Sequence, residues 1–375
     1  MSAKVSRVGF VFLDVFSKEG GIQSYVKDIL KAYVSEANSP PADIFLLRDK
    51  PTDINPFKEE EQFRFYYFSN NRPTLGRLHL VSTLGWHVIQ RQYSRMVCGH
   101  ILLSPLVSAL CQVFQIPYTV MTYGKEVWTT APPLKQRALQ RASDIWTISR
   151  YSRDLACAAN DLDQAKFRML PCVVNGDVFT PGEKDSELVA KYGLQNNRVL
   201  MTVARLWPGD IYKGVDVTIR ALPEIVQVFP DVKYLVIGRG DDQPRLAQLA
   251  QDMGVGDRVV FAGFIPDEAL VKHYRLADAY VMPSKEGFGI VYLEAMACGV
   301  PTLSGDDDGS ADPLQDGRVG WRVPHRDPNA VAKACIEILH GNDPRCDGRW
   351  LREQALANFS PGSLQKEVGK LVAAF

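Results

Sequence analysis

Two glutamates with seven residues between them frame the segment richest in chemistry, Glu286-Gly287-Phe288-Gly289-Ile290-Val291-Tyr292-Leu293-Glu294. The segment follows AYVMPS, which reads as a buried strand, so Glu286 belongs at a strand's carboxyl end, where open α/β sheets bind ligands. Gly287 and Gly289 allow close approach of backbone to a ligand, and a helix starting there turns its unpaired amides and positive dipole end toward a phosphate. Gly299 and Pro301 then stop that helix. Glu294 falls more than a turn inside it among apolar residues; a carboxylate in such a place calls for hydrogen bonds, which two ribose hydroxyls would supply.

A second group carries positive charge. Arg205 follows the apolar run VLMTVA, and Lys213 comes soon after in Tyr212-Lys213-Gly214. A guanidinium forks onto two phosphate oxygens and an ammonium adds a point charge, so together they suit a diphosphate on which negative charge develops. Further back, Thr122-Tyr123-Gly124-Lys125-Glu126 also follows a predicted strand. The Tyr123 phenol, with an ordinary pKa of about 10, donates hydrogen bonds but is a poor base at neutral pH. Glu126 either orients a hydroxyl or pairs with the basic residues around it.

These residues need a scaffold, and the pattern supplies one. RVGFVFL reads as a strand, Gly20-Gly21 as a loop, and Ile22, Tyr25, Val26, Ile29, Leu30 and Tyr33 as a helical stripe. The order returns in VLMTVA, a helix through Val215, Ile219, Leu222, Ile225 and Phe229, and VKYLVI ending at Gly238-Arg239-Gly240. It returns again in RVVFAGF, ALVKHYRLA, AYVMPS and a helix from Gly289 to Ala297. Such alternation predicts an α/β protein with two Rossmann-like parallel-sheet domains. The expected boundaries are 1–175 and 176–358, with PCVVNGDVFTPGEK as linker. A terminal helix over 359–375, started by Ser360-Pro361 and carrying Leu364, Val368, Leu371, Val372 and Phe375 on one stripe, is expected to pack back across the domain junction.

The 375 residues, 46% hydrophobic and 23% charged, are enough for two cores and exclude a disordered chain. Seven cysteines without a C-x-x-C pair argue for reduced thiols in a cytoplasm, not for a disulfide framework or zinc site. MSAKVSRVGFVFLDVF lacks a small-residue cleavage site. Residues 101–124 are uncharged and long enough for a membrane span, but Pro105, Gln112, Gln115 and Pro117 interrupt them. They read as a buried β-α-β unit, with HILLS and IPYTVMTY as strands around PLVSALCQVF.

The net charge of zero conceals an imbalance: residues 1–175 hold 21 Lys and Arg against 15 Asp and Glu, and the remainder holds 22 against 28. Between 62 and 141, nine basic residues meet one acid, Glu126. Arg72, Arg77, Arg91 and Arg95, interleaved with Leu78, Leu80, Leu84, Trp86, Val88 and Ile89, fit a membrane-surface helix over 72–95 or a core helix with a solvated basic face. Asp306-Asp307-Asp308 stands in a Gly/Ser/Asp loop and reads as a solvated turn in preference to a metal site.

The glutamate segment resembles the E-x7-E signature of the retaining glycosyltransferases of family 4, also called group 1, which have the GT-B fold: two Rossmann-like domains facing across a cleft. Ala204-Arg205-Leu206 with Tyr212-Lys213-Gly214 resembles that family's R-L…K-G element, so the resemblance extends over most of the chain. It implies that Glu286 contacts hydroxyls of the transferred sugar, Glu294 binds the nucleotide ribose, and Arg205 and Lys213 neutralise the donor diphosphate. Gly287, Phe288, Gly289 and Ile290 fall beside the donor. Phe264 matches the position whose backbone pairs with the base, or is a core aromatic at a strand end. Gly20-Gly21 matches the loop that closes on the phosphate. The segment at 122–126 is similar to the acceptor-side H-G-x-D/E motif, with Tyr123 where many relatives have histidine.

The reaction that the resemblance implies is front-face transfer of a hexosyl group from a UDP- or GDP-sugar to a glycan or lipid-linked acceptor, with domain closure excluding water. It calls for no metal or other cofactor and no nucleic-acid partner; the cysteines point to a cytoplasmic protein, and the membrane-surface reading of residues 72–95 would add peripheral contact at the inner membrane face. Three other readings use the same residues: a nucleotide-sugar epimerase of this fold, a non-catalytic nucleotide-sugar binder, and an oxidoreductase built on Gly238-Arg239-Gly240. The last lacks the third glycine of the dinucleotide fingerprint.

Overall fold

Short apolar strands, each followed by a helix that buries one stripe, leave parallel pairing as the way to cover both faces of a sheet. The computed structural model, which describes residues 7–90 and 93–375, contains two such sheets in two units. One unit is Val173–Ser360, and the other comprises the chain before it and Pro361–Phe375.

The first unit runs β1 (Arg7–Phe12), α1 (Gly21–Val34), β2 (Ala42–Leu46), β3 (Phe63–Tyr67), α2 (Pro73–Gln90), β4 (Tyr93–Cys98), α3 (Ser104–Phe114), β5 (Tyr118–Thr122), α4 (Pro133–Arg141), β6 (Asp144–Thr147), α5 (Arg150–Asn160) and β7 (Phe167–Met169). All pairings are parallel, in the order β3-β2-β1-β4-β5-β6-β7. The second unit runs α6 (Ser186–Lys191), β8 (Arg198–Val203), α7 (Val215–Val228), β9 (Val232–Ile237), α8 (Gln243–Asp252), β10 (Val259–Gly263), α9 (Asp267–Tyr274), β11 (Ala279–Met282), α10 (Ile290–Ala297), β12 (Thr302–Gly305), β13 (Trp321–Val323), α11 (Pro328–His340) and α12 (Gly348–Phe359). Its sheet is also parallel, in the order β10-β9-β8-β11-β12-β13. A last helix, α13 (Pro361–Val372), belongs to the first unit, where it packs on α1 and buries Leu364, Val368 and Val372.

In each sheet the order reverses once, between β1 and β4 and between β8 and β11. Loops leaving two neighbouring strands in opposite directions open a crevice at their carboxyl ends, and that is where a parallel sheet binds ligands. Apolar side chains of α7, α8 and α11 cover one face of the second sheet, and those of α6, α9 and α10 cover the other.

Two details differ from the sequence reading. HILLS is a turn leading into α3, because the preceding strand is β4; the β-α-β unit is real but begins earlier. Arg95 is not on a surface helix: it lies in β4, buried, with its guanidinium on Asp144 at 2.6 Å and over the Phe375 ring at 4.6 Å. Arg91 lies outside the described residues. Among the described residues no helix is long and apolar enough to cross a membrane, and all seven cysteines are free.

Gly238 and Gly240 have a packing duty. Both have positive φ, +136° and +157°, and a Cβ on either would overlap the carbonyl oxygen of Ala204 or Leu206 in the loop leaving β8. Gly238→Ala is therefore expected to lower stability by about 3 kcal/mol, combining strain and overlap. A fall in Tm of the purified variant checks this, and an unchanged Tm would contradict the close approach.

Candidate functional site

The reversal between β8 and β11 brings together two loops that are remote in sequence. The loop after β8 holds Arg205 and makes a short helical turn over Pro208–Lys213, ending at Gly214 with φ +77°. The loop after β11 runs from Pro283 to Gly289, and the Lys285 amide donates to the Tyr212 carbonyl at 3.0 Å, joining the two. Across this junction the Lys213 ammonium forms an ion pair with Glu286 Oε1. Both side chains are mostly out of solvent, at 18% relative exposure each. Burial alone would depress the ammonium, but the charges of Glu286, Tyr212 and Asp210 outweigh it and hold Lys213 above its ordinary value. Arg205 is more open, at 65% side-chain exposure, and pairs with Asp210 at 3.1 Å.

Beside this pair α10 begins. Its N-cap Gly289 has φ +88°, a conformation that L side chains rarely adopt, and a Cβ there would also overlap the buried Tyr292 ring. The first-turn amides of such a helix have no partner within it. Phe288 turns its ring inward against Phe359, with centroids 5.7 Å apart, so its main chain is what it offers to the site. Glu294, a turn further along α10, accepts the Tyr274 hydroxyl on Oε2 at 2.6 Å. Burial pushes its carboxyl up to about 7, against the opposing pull of that hydrogen bond. Phe264 is not in the core: it is 52% exposed, with the Arg239 guanidinium 4.7 Å from its ring centroid.

In the first unit, Gly20 caps α1 through its carbonyl to the Ser24 amide at 2.9 Å, and a Cβ on Gly21 would meet open space. The buried carboxylate of Asp49 accepts the amides of Val15, Phe16 and Ser17 at 2.9, 2.7 and 2.7 Å, fixing the loop after β1. Tyr123 is buried and donates its hydroxyl to the Gly99 carbonyl at 2.5 Å. Glu126 Oε1 accepts the Tyr123 and Gly124 amides at 2.5 and 3.3 Å, closing the turn after β5. Burial raises its carboxyl while those amides hold it down, with a net upward direction.

Comparison with known proteins fixes the family. A family model described as "Glycosyl transferases group 1" matches residues 197–341. The GDP-mannose-dependent alpha-(1-6)-phosphatidylinositol monomannoside mannosyltransferase of Mycolicibacterium smegmatis is 32% identical over 88% of this chain and 87% of its own length. The chain belongs to the group 1 glycosyltransferases. A Corynebacterium glutamicum mannosyltransferase, whose name adds a monoacylated acceptor, is 28% identical over 87% of the chain and 86% of its own length. Among solved structures, Anabaena HepE in complex with UDP aligns with a TM-score of 0.78 at 19% identity, covering 98% of this chain and all of HepE. Sucrose-phosphate synthase from Thermosynechococcus elongatus aligns at 0.75 and 23%, covering 98% of each. The two parallel sheets are thus those of the GT-B fold, and the protein is a glycosyltransferase.

One supporting residue of this glycosyltransferase escaped the sequence reading. Asp308 is buried instead of solvated: its Oδ2 accepts the Glu286 amide at 2.8 Å and its Oδ1 the Ser310 amide at 2.9 Å. Burial raises its carboxyl to about 6. Gly309 follows so closely that a Cβ would overlap the Gly287 carbonyl oxygen, and its amide donates to the Glu286 carbonyl at 2.8 Å. The available signal was Asp before Gly-Ser, a pattern that folds the carboxylate back onto main-chain amides. Asp306 and Asp307 remain exposed, and among the described residues no cluster of three potential ligands could hold a metal ion. Gly238 and Gly240 are explained by backbone packing, without a dinucleotide.

The Glu294 shift has a sign that can be checked. Its folded-state pKa, about 7, lies above the ordinary 4.5, so the folded protein binds this proton more tightly than the unfolded chain. The resulting stability is complete below pH 4.5 and is lost as the pH rises through 7. Glu294→Gln keeps an acceptor for Tyr274 and does not titrate. The ligand-free variant should match the wild type at pH 4.5 and exceed it by about 2 kcal/mol at pH 8, allowing for residual solvent contact. Denaturant unfolding at both pH values measures the gap, and a constant gap would show that Glu294 is not the titrating group.

Proposed function

We propose that this glycosyltransferase moves a mannosyl group, with retention, from GDP-mannose to a phosphatidylinositol mannoside. The class of reaction follows from the family; the donor and acceptor are inferred from what the two mannosyltransferase relatives are named for. The carrying observation is the Lys213–Glu286 pair beside the amide end of α10 at the sheet reversal.

In this reading the donor diphosphate takes the Lys213 ammonium away from Glu286 and draws Arg205 from Asp210. Sugar hydroxyls then donate to the vacated Glu286 carboxylate, so neither member of the Lys213–Glu286 pair is left without a partner. Backbone amides over Gly287–Ile290 and the dipole of α10 stabilise the departing phosphate as charge grows on it. Glu294 accepts ribose hydroxyls, and Phe264 with its stacked Arg239 marks the edge for the base. Tyr123 and Glu126 belong to the acceptor side. Substitution proceeds on the front face, with the leaving phosphate oxygen taking the proton of the attacking hydroxyl while the glycosidic C–O bond forms. The scheme calls for no metal, because an ammonium, a guanidinium and a helix end neutralise the diphosphate.

Lys213→Ala is expected to weaken GDP binding about 10- to 100-fold, the worth of one charge-assisted contact to a phosphate. Glu286→Ala should cut transfer by about 100-fold or more while GDP affinity is kept or improved, since the ammonium no longer has to be freed. Calorimetric titration with GDP and initial rates separate the two effects; a Lys213→Ala protein that binds GDP like the wild type would refute the assignment.

We also propose that α2 meets the membrane carrying the acceptor. It buries Leu80, Leu84 and Val88, yet Leu75, Leu78, Trp86 and Ile89 are exposed, with Arg72 and Arg77 exposed at its start. An apolar outer face flanked by cations suits an anionic bilayer surface. Co-sedimentation with phosphatidylglycerol vesicles should fall several-fold in Arg72→Glu/Arg77→Glu and Leu78→Ser/Trp86→Ser proteins. Binding that is absent in the wild type would end this proposal without touching the donor site.

A further inference from the structure

The reversal in the first sheet lies between β1 and β4, and the loops leaving those strands carry Asp14 and His100. His100 is half-buried, and its Nδ1 accepts the Leu102 amide at 3.1 Å. A backbone N–H can only donate, so in the neutral ring the proton resides on Nε2, which is left as a donor. The position of the ring is fixed from behind: the Cys98 thiol donates to the His100 carbonyl at 3.2 Å, and the Tyr123 hydroxyl donates to the carbonyl of the adjacent Gly99. The Tyr123 and His100 ring centroids lie 6.3 Å apart, and Tyr25 packs edge-on against Tyr123 at 5.9 Å. The phenol that replaces an imidazole at position 123 is therefore bound to the main chain of the loop that carries an imidazole.

The electrostatics agree. Burial lowers the pKa of His100, Asp14 pulls it up, and Arg48 and Lys135 push it further down, with a net downward direction that favours the neutral ring. Asp14 keeps its carboxylate mostly out of solvent, taking the Gln23 amide at 2.5 Å, Arg48 at 3.2 Å and Lys18 at 3.9 Å. A neutral N–H donor on one loop and a carboxylate on the next can serve the two sides of a hydroxyl, which accepts from the one and donates to the other.

We propose that His100 is an acceptor-binding residue whose Nε2–H donates to a hydroxyl oxygen of a polyol or sugar acceptor, with Asp14 receiving hydroxyl protons beside it and Tyr123 acting as the positioning strut. The proposal deepens the function inferred above and rests on the acceptor being held by the first unit.

Two measurements test it. Nitrogen-resolved imidazole NMR of the whole protein, with His100 assigned through His100→Asn, should show a neutral Nε2–H tautomer at pH 7. Tyr123→Phe should weaken that tautomer preference. A charged ring, or a proton on Nδ1, overturns the proposal. In initial-rate assays with GDP-mannose and phosphatidylinositol monomannoside in mixed micelles, His100→Ala should raise the acceptor KM about tenfold or more, the loss of one buried hydrogen bond. The donor KM and the slow hydrolysis of GDP-mannose without acceptor should stay within about twofold, since no donor contact is removed. His100→Asn, which keeps an N–H donor, should recover part of the loss, and Tyr123→Phe should add nothing further in the His100→Ala background. An unchanged acceptor KM overturns the role of His100. A wild-type enzyme that hydrolyses GDP-mannose but does not glycosylate this lipid counts against the acceptor class proposed above, and the imidazole spectrum then decides for His100.

Discussion

An ammonium and a carboxylate taken mostly out of water must find each other or another partner, and in this protein the pair is Lys213 and Glu286. Their mutual attraction compensates the loss of hydration only while the geometry is kept, because either charge left alone would be costly. The surrounding structure keeps it. The Lys285 amide ties the two loops, Asp308 holds the Glu286 amide, and Gly289 and Gly309 let backbones come closer than any side chain would permit. In the proposed reaction the same pair exchanges partners, the ammonium going to a diphosphate and the carboxylate to sugar hydroxyls. A resting contact that satisfies both charges prepares a site in which neither is hydrated.

Both sheets apply one architectural device. Parallel order that reverses once leaves two neighbouring strand ends whose loops diverge, and each set of loops carries polar or charged side chains while main-chain hydrogen bonds hold the turns around them. In the second unit these are Lys213 and Glu286 with Asp308 behind them; in the first they are Asp14 and His100, with Asp49, Glu126 and Tyr123 holding the adjoining turns. Carboxylates seated on two or three amides recur in the supports. They fix loops as firmly as packing fixes strands, since each amide would otherwise be a buried donor without an acceptor.

Stability is set aside where chemistry needs it. Glu294 sits in a helix whose neighbours are apolar, with its carboxyl pushed up to about 7, and Asp308 is held near 6. An apolar residue in place of Glu294 would pack without that electrostatic strain, whereas one in place of Asp308 would leave the Glu286 and Ser310 amides without their acceptor. In the proposed function the ribose hydroxyls join the Tyr274 hydroxyl as partners of Glu294, the pattern expected of a preorganised site.

The alternation of apolar strands and striped helices was enough, from the sequence, to determine two parallel α/β sheets, since burial on both faces leaves few other solutions. Glu286, Glu294, Arg205 and Lys213 were singled out in the sequence by the glycine-framed pair of glutamates and by the family resemblance, and the structure sets Lys213 against Glu286. The tertiary structure alone decided which side chains meet. It moved Asp308 from a solvated turn to a buried support and Arg95 from a helix to a strand, and between the two readings of Phe264 it excluded the core aromatic. It also gave Tyr123 to the backbone and brought His100 beside it. These facts depend on strand order, and strand order arises from long-range pairing of β1 with β4 and β8 with β11, whose residues lie too far apart in the chain for any local pattern to record.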